Sequence, residues 1–334
     1  MLISFVTDKP YQGDRIFDES DPTRAKYAKM KDEFARLGHQ IHTSDILAPA
    51  EADAVIMHDL KSGFEASLSP SGENYALLVE SSIIRPESYR RKNHRHFKKI
   101  FTWHDGLVCL NESYVKVCYG FSFPERIPTG LVDRQKLCAL IISNKSSNAR
   151  GELYSKRREV IRWFEGNHPS DFDLYGRGWN RLNLGASLLS SVLRRVRPVV
   201  YVLDLLFAEK YRSYRGEVLS KANVLSRYKF GIAFENVVNV PGYITEKIFD
   251  CLFSGCVPIY FGANNIKDYI PEECFIDFRR YESFDELYEY ISALSDDAYL
   301  EYQRNILEFI YGGAADRFSA RTFARTIVDE VVGV

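Results

Sequence analysis

Short apolar runs separated by amphipathic stretches recur along the whole chain. Leu2–Thr7 is a run of strand length. Thr23–Leu37 carries apolar residues at helical spacing through Tyr27, Met30, Phe34 and Leu37, and Gly38 is placed as a helix stop. Ile41–Ser44, Ala54–Met57, Tyr75–Val79 and Lys99–Trp103 are further strand-length runs. The alternation predicts βαβ units, and so a mostly parallel sheet covered by helices.

A second series starts near Lys136. Leu137–Ser143 reads as a strand, Gly151–Phe164 as a helix, and Phe172–Tyr175 as a strand closing on the turn residues Gly176, Arg177 and Gly178. Ala186–Phe207 is apolar and basic, a helix broken at Pro198. Glu217–Tyr228 is a short helix, Phe230–Phe234 a strand, Tyr243–Phe253 a helix, and Val257–Phe261 and Cys274–Phe278 strands. Helices follow at Ser283–Leu294, Ala298–Phe309 and Ala315–Val332. The pattern predicts an α/β protein of two Rossmann-like domains facing a cleft. The domains are residues 1–130 and 131–314, and 315–334 is a terminal helix that packs back on the first. In open α/β sheets ligands lie beyond the carboxyl ends of the strands, so the chemistry is sought there.

Composition narrows the function. The chain has 334 residues and a formal net charge of −1, which lacks the basic excess of a nucleic-acid binder. Basic residues cluster in Arg85–Lys99 and Arg194–Arg215, where solvated faces are the plainer reading. The six cysteines form no CxxC pair, which fits free thiols in a reducing compartment. MLISFVTDKP has no basic n-region and reads as a first strand, and Pro198–Phe207 is too short to span a bilayer. The expectation is a soluble cytoplasmic protein, or one peripheral to the inner face of the cytoplasmic membrane.

The densest chemistry lies in Phe230–Gly262. Asn236 follows a strand, Pro241-Gly242 mark a loop, and Glu246 and Lys247 fall in the first turn of the next helix. Free backbone N–H groups and the positive helix end favour an anion there, and Lys247 adds a full charge suited to a diphosphate. Glu246 would be repelled by phosphate but can accept hydrogen bonds from a ribose diol. Tyr243 offers a ring and a hydroxyl. A structural reading stands beside this one: Glu246 complements the helix dipole, Lys247 is solvated, and Asn236 forms a turn.

Phe234-Glu235-Asn236, Tyr243-Ile244-Thr245-Glu246-Lys247, Val257-Pro258-Ile259 and Gly262 together resemble the donor-binding motif of family 10 glycosyltransferases, the α-1,3/1,4-fucosyltransferases, in bacterial style. The resemblance continues through Asn265-Ile266, Tyr269-Ile270-Pro271 and Cys274–Asp277. Upstream, Ser143-Asn144 followed by Arg150 is similar to the family's Ser-Asn…Arg element, whose Arg contacts the donor diphosphate. About Lys136–Phe278 is covered well and the first 130 residues weakly. The resemblance implies the GT-B architecture and α-1,3-fucosyl transfer from GDP-fucose to a glycan hydroxyl, on lipopolysaccharide, O-antigen or another surface glycan. It also implies a donor site of Ser143, Asn144, Arg150, Asn236, Tyr243, Glu246 and Lys247.

β-linked GDP-fucose and α-linked products imply inversion in one displacement. That step needs a base for the acceptor and positive charge for the departing diphosphate. Arg150 and Lys247 supply the charge without a metal, so neither Mn²⁺ nor Mg²⁺ is expected and no cofactor is required. The base belongs to the first domain. Glu80, at the end of Tyr75–Val79, is the candidate, and Glu87, just past Pro86, is its competitor. Asp171-Phe172-Asp173 reads as a turn before a strand rather than a metal site, and His94-x-His96 as surface. His58 and His104 follow apolar runs and either line the acceptor side or are hydrogen-bonded core residues. Two rival functions are a transferase of this fold with another nucleotide-diphosphate sugar and an inactive glycan-binding module. The stretch 190–215 either contacts an anionic membrane or packs on the donor domain. Acceptor identity and oligomeric state are not legible in the sequence.

Overall fold

A computed structural model describes residues 1–181 and 210–333. Among these residues the strands form two parallel sheets, each in its own compact unit. Unit 1 comprises 1–123, 240–244 and 310–334; unit 2 comprises 124–239 and 245–309.

Unit 1 holds β1 (Leu2–Val6), β2 (Gln40–Thr43), β3 (Ala54–His58), β4 (Asn74–Leu78), β5 (Lys99–Thr102) and β6 (Tyr114–Lys116). Their order is β2-β1-β3-β4-β5-β6, with every pairing parallel. β3 and β4 are almost wholly buried, which is why they read as unbroken apolar runs. The helix Ala25–Arg36 returns the chain from β1 to β2 and buries Tyr27, Met30 and Phe34. The helix Ala320–Val332 packs on it, and Phe323, Ala324, Ile327, Val328 and Val331 join the same core. This terminal helix starts later than its hydrophobic pattern predicts. Asp316–Phe318 form a 3-10 turn, and Ser319 caps the helix by accepting the Thr322 N–H at 3.0 Å.

Unit 2 holds β7 (Lys136–Ile141), β8 (Phe172–Tyr175), β9 (Tyr228–Phe234), β10 (Val257–Phe261) and β11 (Ile276–Asp277), in the order β11-β10-β9-β7-β8. The helix Tyr154–Asn167 joins β7 to β8, and the helix Glu246–Leu252 joins β9 to β10. β9 lies mid-sheet and is buried apart from Lys229, so its carboxyl end is a fixed platform.

Three further elements differ from their sequence patterns. The helix expected at Glu217–Tyr228 is only Lys221–Leu225, because β9 already begins at Tyr228. The strand expected at Cys274–Phe278 is two residues long, flanked by 3-10 turns. The helix expected from Tyr243 begins at Glu246.

The expected helix at Ala186–Phe207 lies outside the described residues. Of the stretch 190–215, only 210–215 is described, and there Tyr211 and Ser213 are buried, Tyr211 against Trp179 and Ser213 on Glu165. No helix among the described residues is long and apolar enough to cross a membrane. All six cysteines are free; Cys138, Cys251, Cys256 and Cys274 are buried.

Candidate functional site

In unit 2 the polar residues converge at the carboxyl end of β9. Glu235, the first residue after the strand, is 0% exposed. Its carboxylate accepts the Thr245 N–H at 2.8 Å and the Thr245 hydroxyl at 2.7 Å. These bonds close the loop between the strand and the next helix. Thr245 is extended, at φ −117° and ψ −171°, and its hydroxyl is committed to Glu235; the helix therefore begins one residue on.

Lys247 sits directly over this closure. Its side chain is 9% exposed, and Nζ lies 3.2 Å from Glu235, 2.8 Å from the Thr245 hydroxyl and 3.2 Å from Glu246. An ammonium has three donors, and all three are engaged. Burial disfavours the charge, but Glu235 and Glu246 outweigh it and hold the Lys247 pKa above the usual lysine value. Burial pushes Glu235 the other way, above the usual carboxylate range, against the pull of Lys247. Glu246 is the open member, with its side chain 39% exposed. Desolvation opposes its charge, yet Lys247 and Lys221 hold its pKa down at about 2. Lys221 is itself paired with Asp250 at 2.7 Å. The helix has only seven residues, so the full charge of Lys247, not a long helix dipole, is the main positive charge at its start.

Asn236 is held from behind. Its side-chain oxygen accepts a hydrogen bond from Arg157 at 3.1 Å, and Arg157 also donates to the Phe234 carbonyl at 3.2 and 2.6 Å. Arg157 is 2% exposed. The sequence contained a signal for it: Arg157, Val160, Ile161 and Phe164 follow helical spacing, so the arginine occupies a position on the buried face. Glu235, Lys221 and Asp250 likewise had no assigned role in the sequence reading.

The Ser143-Asn144…Arg150 element follows the carboxyl end of β7, the neighbour of β9. Asn144 donates to the Gly178 carbonyl at 3.2 Å and accepts from Arg158 at 3.4 Å, which ties the end of β7 to the turn after β8. That turn needs Gly176 at φ +121°, since a Cβ there would lie 2.2 Å from the Ile142 carbonyl oxygen. The Arg150 loop is sewn to the Asn236 loop. Leu153 donates its N–H to the Asn236 carbonyl at 3.1 Å, and Val238 donates to Gly151 at 2.9 Å. Arg150 itself is exposed and its side chain has no partner among the described residues. Tyr243 is placed differently from Glu246 and Lys247. It belongs to unit 1, is 1% exposed, and packs its ring 4.6 Å from that of Trp103. It is an anchor of the loop rather than an open ring for a ligand.

In unit 1, Glu80 follows β4 and is half-buried. Its N–H is held by Asp59 at 3.2 Å, and its carbonyl accepts the Tyr89 hydroxyl at 2.7 Å. Glu87 lies in the 3-10 turn Pro86–Tyr89, paired with Arg90 at 2.7 Å and within 3.3 Å of Asn93. His58 sits between the Tyr27 hydroxyl at 2.8 Å and the Thr7 hydroxyl at 3.3 Å, a hydrogen-bonded core residue. Burial, assisted by Lys26 and Arg85, lowers its pKa to about 3. The unfolded chain therefore takes up a proton at this histidine near pH 6.5 while the native chain does not. Stability from His58 is full above pH 6.5 and is lost as pH falls toward 3, at up to about 1.4 kcal/mol per pH unit. His58→Gln is expected to flatten the pH dependence of urea unfolding between pH 6.5 and 4.5; an unchanged slope would contradict this account.

His104 stacks on Trp103, with ring centroids 5.4 Å apart, and its Nδ1 is buried without a hydrogen-bond partner among the described residues. His94, expected at the surface, is buried at 6% exposure, within hydrogen-bond distance of the Tyr114 hydroxyl and the Ser88 carbonyl at 2.9 Å each. The short turn Arg91–His94 before β5 points it inward, whereas His96 lies edge-on to Phe64. Asp173 is bonded to Lys136, to Arg215 at 2.6 Å and to the Tyr228 hydroxyl at 2.6 Å, and Asp171 accepts the Tyr288 hydroxyl at 2.7 Å. The Asp-x-Asp pair is thus part of the β8 scaffold.

The sequence model of glycosyltransferase family 10 (fucosyltransferase), C-terminal part, matches residues 131–305. An α-(1,4)-fucosyltransferase of Arabidopsis thaliana is 49% identical over 80 residues, 23% of this chain and 20% of that protein. An α-(1,3)-fucosyltransferase of Helicobacter pylori is 41% identical over 87 residues, 25% of this chain and 18% of that protein. The matched stretches thus span about a fifth of the length of these relatives. A crystal structure of an α1,3-fucosyltransferase with GDP-fucose aligns over 99% of this chain and 90% of its own, with a TM-score of 0.57 at 14% identity. The shared fold is the two-domain GT-B arrangement.

Proposed function

The chain belongs to glycosyltransferase family 10, and from that premise we propose that it moves L-fucose from GDP-fucose to a hydroxyl of a glycan acceptor, inverting the anomeric carbon. The observation that carries the reading is the closure of Glu235, Thr245 and Lys247 at the end of β9, with Glu246 exposed beside it. It keeps one buried lysine charged at the carboxyl end of β9, whose following loop is hydrogen-bonded to the loop that carries the exposed Arg150.

In this reading Lys247 and Arg150 bind the diphosphate and Glu246 accepts the ribose hydroxyls. All three Lys247 protons are engaged within the protein, so phosphate takes the one held by Glu246, the exposed partner. Turning Glu246 onto the ribose therefore frees Lys247 for the diphosphate, and the two contacts form together. Asn236 is steadied by Arg157, and Asn144, next to Ser143, braces the turn on which the donor rests. The acceptor oxygen forms its bond to the anomeric carbon as the bond to the β-phosphate oxygen breaks. Glu80 takes the acceptor proton, and the charge that develops on GDP falls to Arg150 and Lys247.

The test is turnover across a panel of nucleotide-diphosphate sugars with a glycan acceptor array. GDP-fucose is expected to be the productive donor. Turnover of a different donor alone would replace the substrate and keep the site, and turnover of none would favour a glycan-binding module. Arg150→Ala is expected to lower kcat/KM by roughly 10²-fold with unchanged thermal stability, because its guanidinium has phosphate to bind and no partner to lose among the described residues. Wild-type kcat/KM in that variant would remove Arg150 from the donor site.

A further inference from the structure

At the carboxyl end of β5 one histidine has no hydrogen bond at either ring nitrogen among the described residues. His104 follows Trp103 and is half-buried. Its backbone is fixed on both sides. Its N–H donates to the Thr102 hydroxyl at 3.2 Å, and its carbonyl accepts the Leu107 and Val108 N–H groups at 2.9 and 3.1 Å. Its ring is tilted only 20° from the plane of the Trp103 indole and lies 5.9 Å from the Tyr89 ring. Gly106 lies against the Nδ1 edge, since a Cβ there would stand 3.0 Å from Cε1 and 3.3 Å from Nδ1. Nδ1 is thus buried without a partner, and Nε2 makes no hydrogen bond among the described residues. Burial lowers the His104 pKa, with help from Lys116 and against the pull of its own backbone and Asp105, so the imidazole is neutral at pH 7.

The fold gains only the ring. A buried nitrogen left unpaired disfavours folding, and a phenyl group would stack on Trp103 without that cost. The nitrogens therefore serve something outside the fold. Their surroundings are rigid. Trp103 donates its indole N–H to the Val79 carbonyl at 2.9 Å, and Tyr89 donates its hydroxyl to the Glu80 carbonyl at 2.7 Å. Asp59, in a left-handed backbone conformation at φ +58°, accepts the Val79 and Glu80 N–H groups at 3.0 and 3.2 Å. β4 and β5 are neighbours, so His104 stands at the strand end next to the one that carries Glu80. Ligands of open α/β sheets lie at this carboxyl edge. We propose that His104 is an acceptor-recognition residue, whose Nε2 hydrogen-bonds a hydroxyl of the acceptor sugar beside the hydroxyl that reacts. The inference rests on the reading of unit 1 as the acceptor side of a fucosyl transfer, and it is independent of the charge on Glu80. A sugar hydroxyl both donates and accepts, so it suits a neutral imidazole in either tautomer. A ring already held by Trp103 and Gly106 loses little freedom when the sugar binds.

The test is steady-state kinetics of the full chain with the productive donor, expected to be GDP-fucose, and an acceptor that the wild type glycosylates. His104→Phe keeps the stacked ring and removes both nitrogens. It is expected to raise the acceptor KM roughly 5–10-fold, the range for one uncharged hydrogen bond, with kcat and GDP affinity within about twofold of wild type. His104→Gln, whose amide reaches the position of Nε2, is expected to recover most of the loss. His104→Asn, whose amide falls at the position of Nδ1, is not. Among monodeoxy forms of the acceptor, one is expected to lose about as much with wild type as His104→Phe loses, and to lose nothing further in that variant. An acceptor KM in His104→Phe within about twofold of wild type overturns the inference, and so do deoxy penalties that His104→Phe leaves unchanged. If His104→Phe does not fold, the two amide variants decide, and equal acceptor KM in both overturns the inference. Wild-type turnover with no donor is a different outcome: it removes the transfer reading itself, and the inference falls with it.

Discussion

Lys247→Met is expected to abolish turnover and to destabilise unit 2 by about 3–5 kcal/mol, the usual cost of removing one partner from a buried ion pair. Both effects follow from one geometry. Glu235 is fully buried, and Lys247 is the cation that compensates it, at 3.2 Å. Without the ammonium, Glu235 must either protonate or remain an unpaired charge, and the Thr245 closure that starts the helix weakens. The two effects separate in a double variant. Glu235→Gln with Lys247→Met removes both charges from the buried site. It is expected to regain most of the lost stability in urea unfolding, while GDP affinity by titration calorimetry stays at least 10²-fold below wild type. If Lys247→Met unfolds like wild type, the pair does not hold the loop. If the double variant turns over normally, Lys247 has no part in binding the donor.

The same residues show where the sequence could be read and where it could not. The strands β3, β4, β7, β9 and β10 were legible because they are buried on both faces and so appear as unbroken apolar runs. β6 was not, being three residues at a sheet edge with little apolar pattern. The β9–helix unit was legible as a motif, and Asn236, Glu246 and Lys247 follow the carboxyl end of β9 within unit 2, whereas Tyr243 belongs to unit 1. The interior of that unit was hidden. That Glu235 rather than solvent holds Lys247 is set by how the loop closes, and that Tyr243 packs on Trp103 is set by a residue distant in sequence. Arg157 was visible as a cation in an apolar helical register, but its partner, the Phe234 carbonyl 77 residues away, was not. Asp59 shows the limit most clearly. Nothing in Met57-His58-Asp59-Leu60 marks a carboxylate that turns back under β4, because the left-handed bend and the paired N–H groups are tertiary.

Glu80→Gln is expected to lower kcat by roughly 10²–10⁴-fold, the range for loss of a general base, with GDP affinity within about twofold of wild type. The structure gives a reason to choose Glu80 over Glu87. The Glu80 turn is pinned on both sides, its N–H by Asp59 and its carbonyl by Tyr89 at 2.7 Å. Glu87 is engaged within its own turn, with Arg90 at 2.7 Å, so Glu87→Gln is expected to keep turnover within a few-fold of wild type. An anionic nucleophile sharpens the comparison, since azide needs no base to attack the anomeric carbon. Azide is expected to restore sugar release from GDP-fucose in Glu80→Gln, giving the fucosyl azide, and to do little for Lys247→Met, where the leaving diphosphate lacks its cation. The pattern distinguishes the alternatives. Loss without azide rescue would place Glu80 in folding or acceptor binding. Loss in Glu87→Gln with rescue there would transfer the role of base to Glu87. A glycan-binding module would release no sugar in any variant, with or without azide.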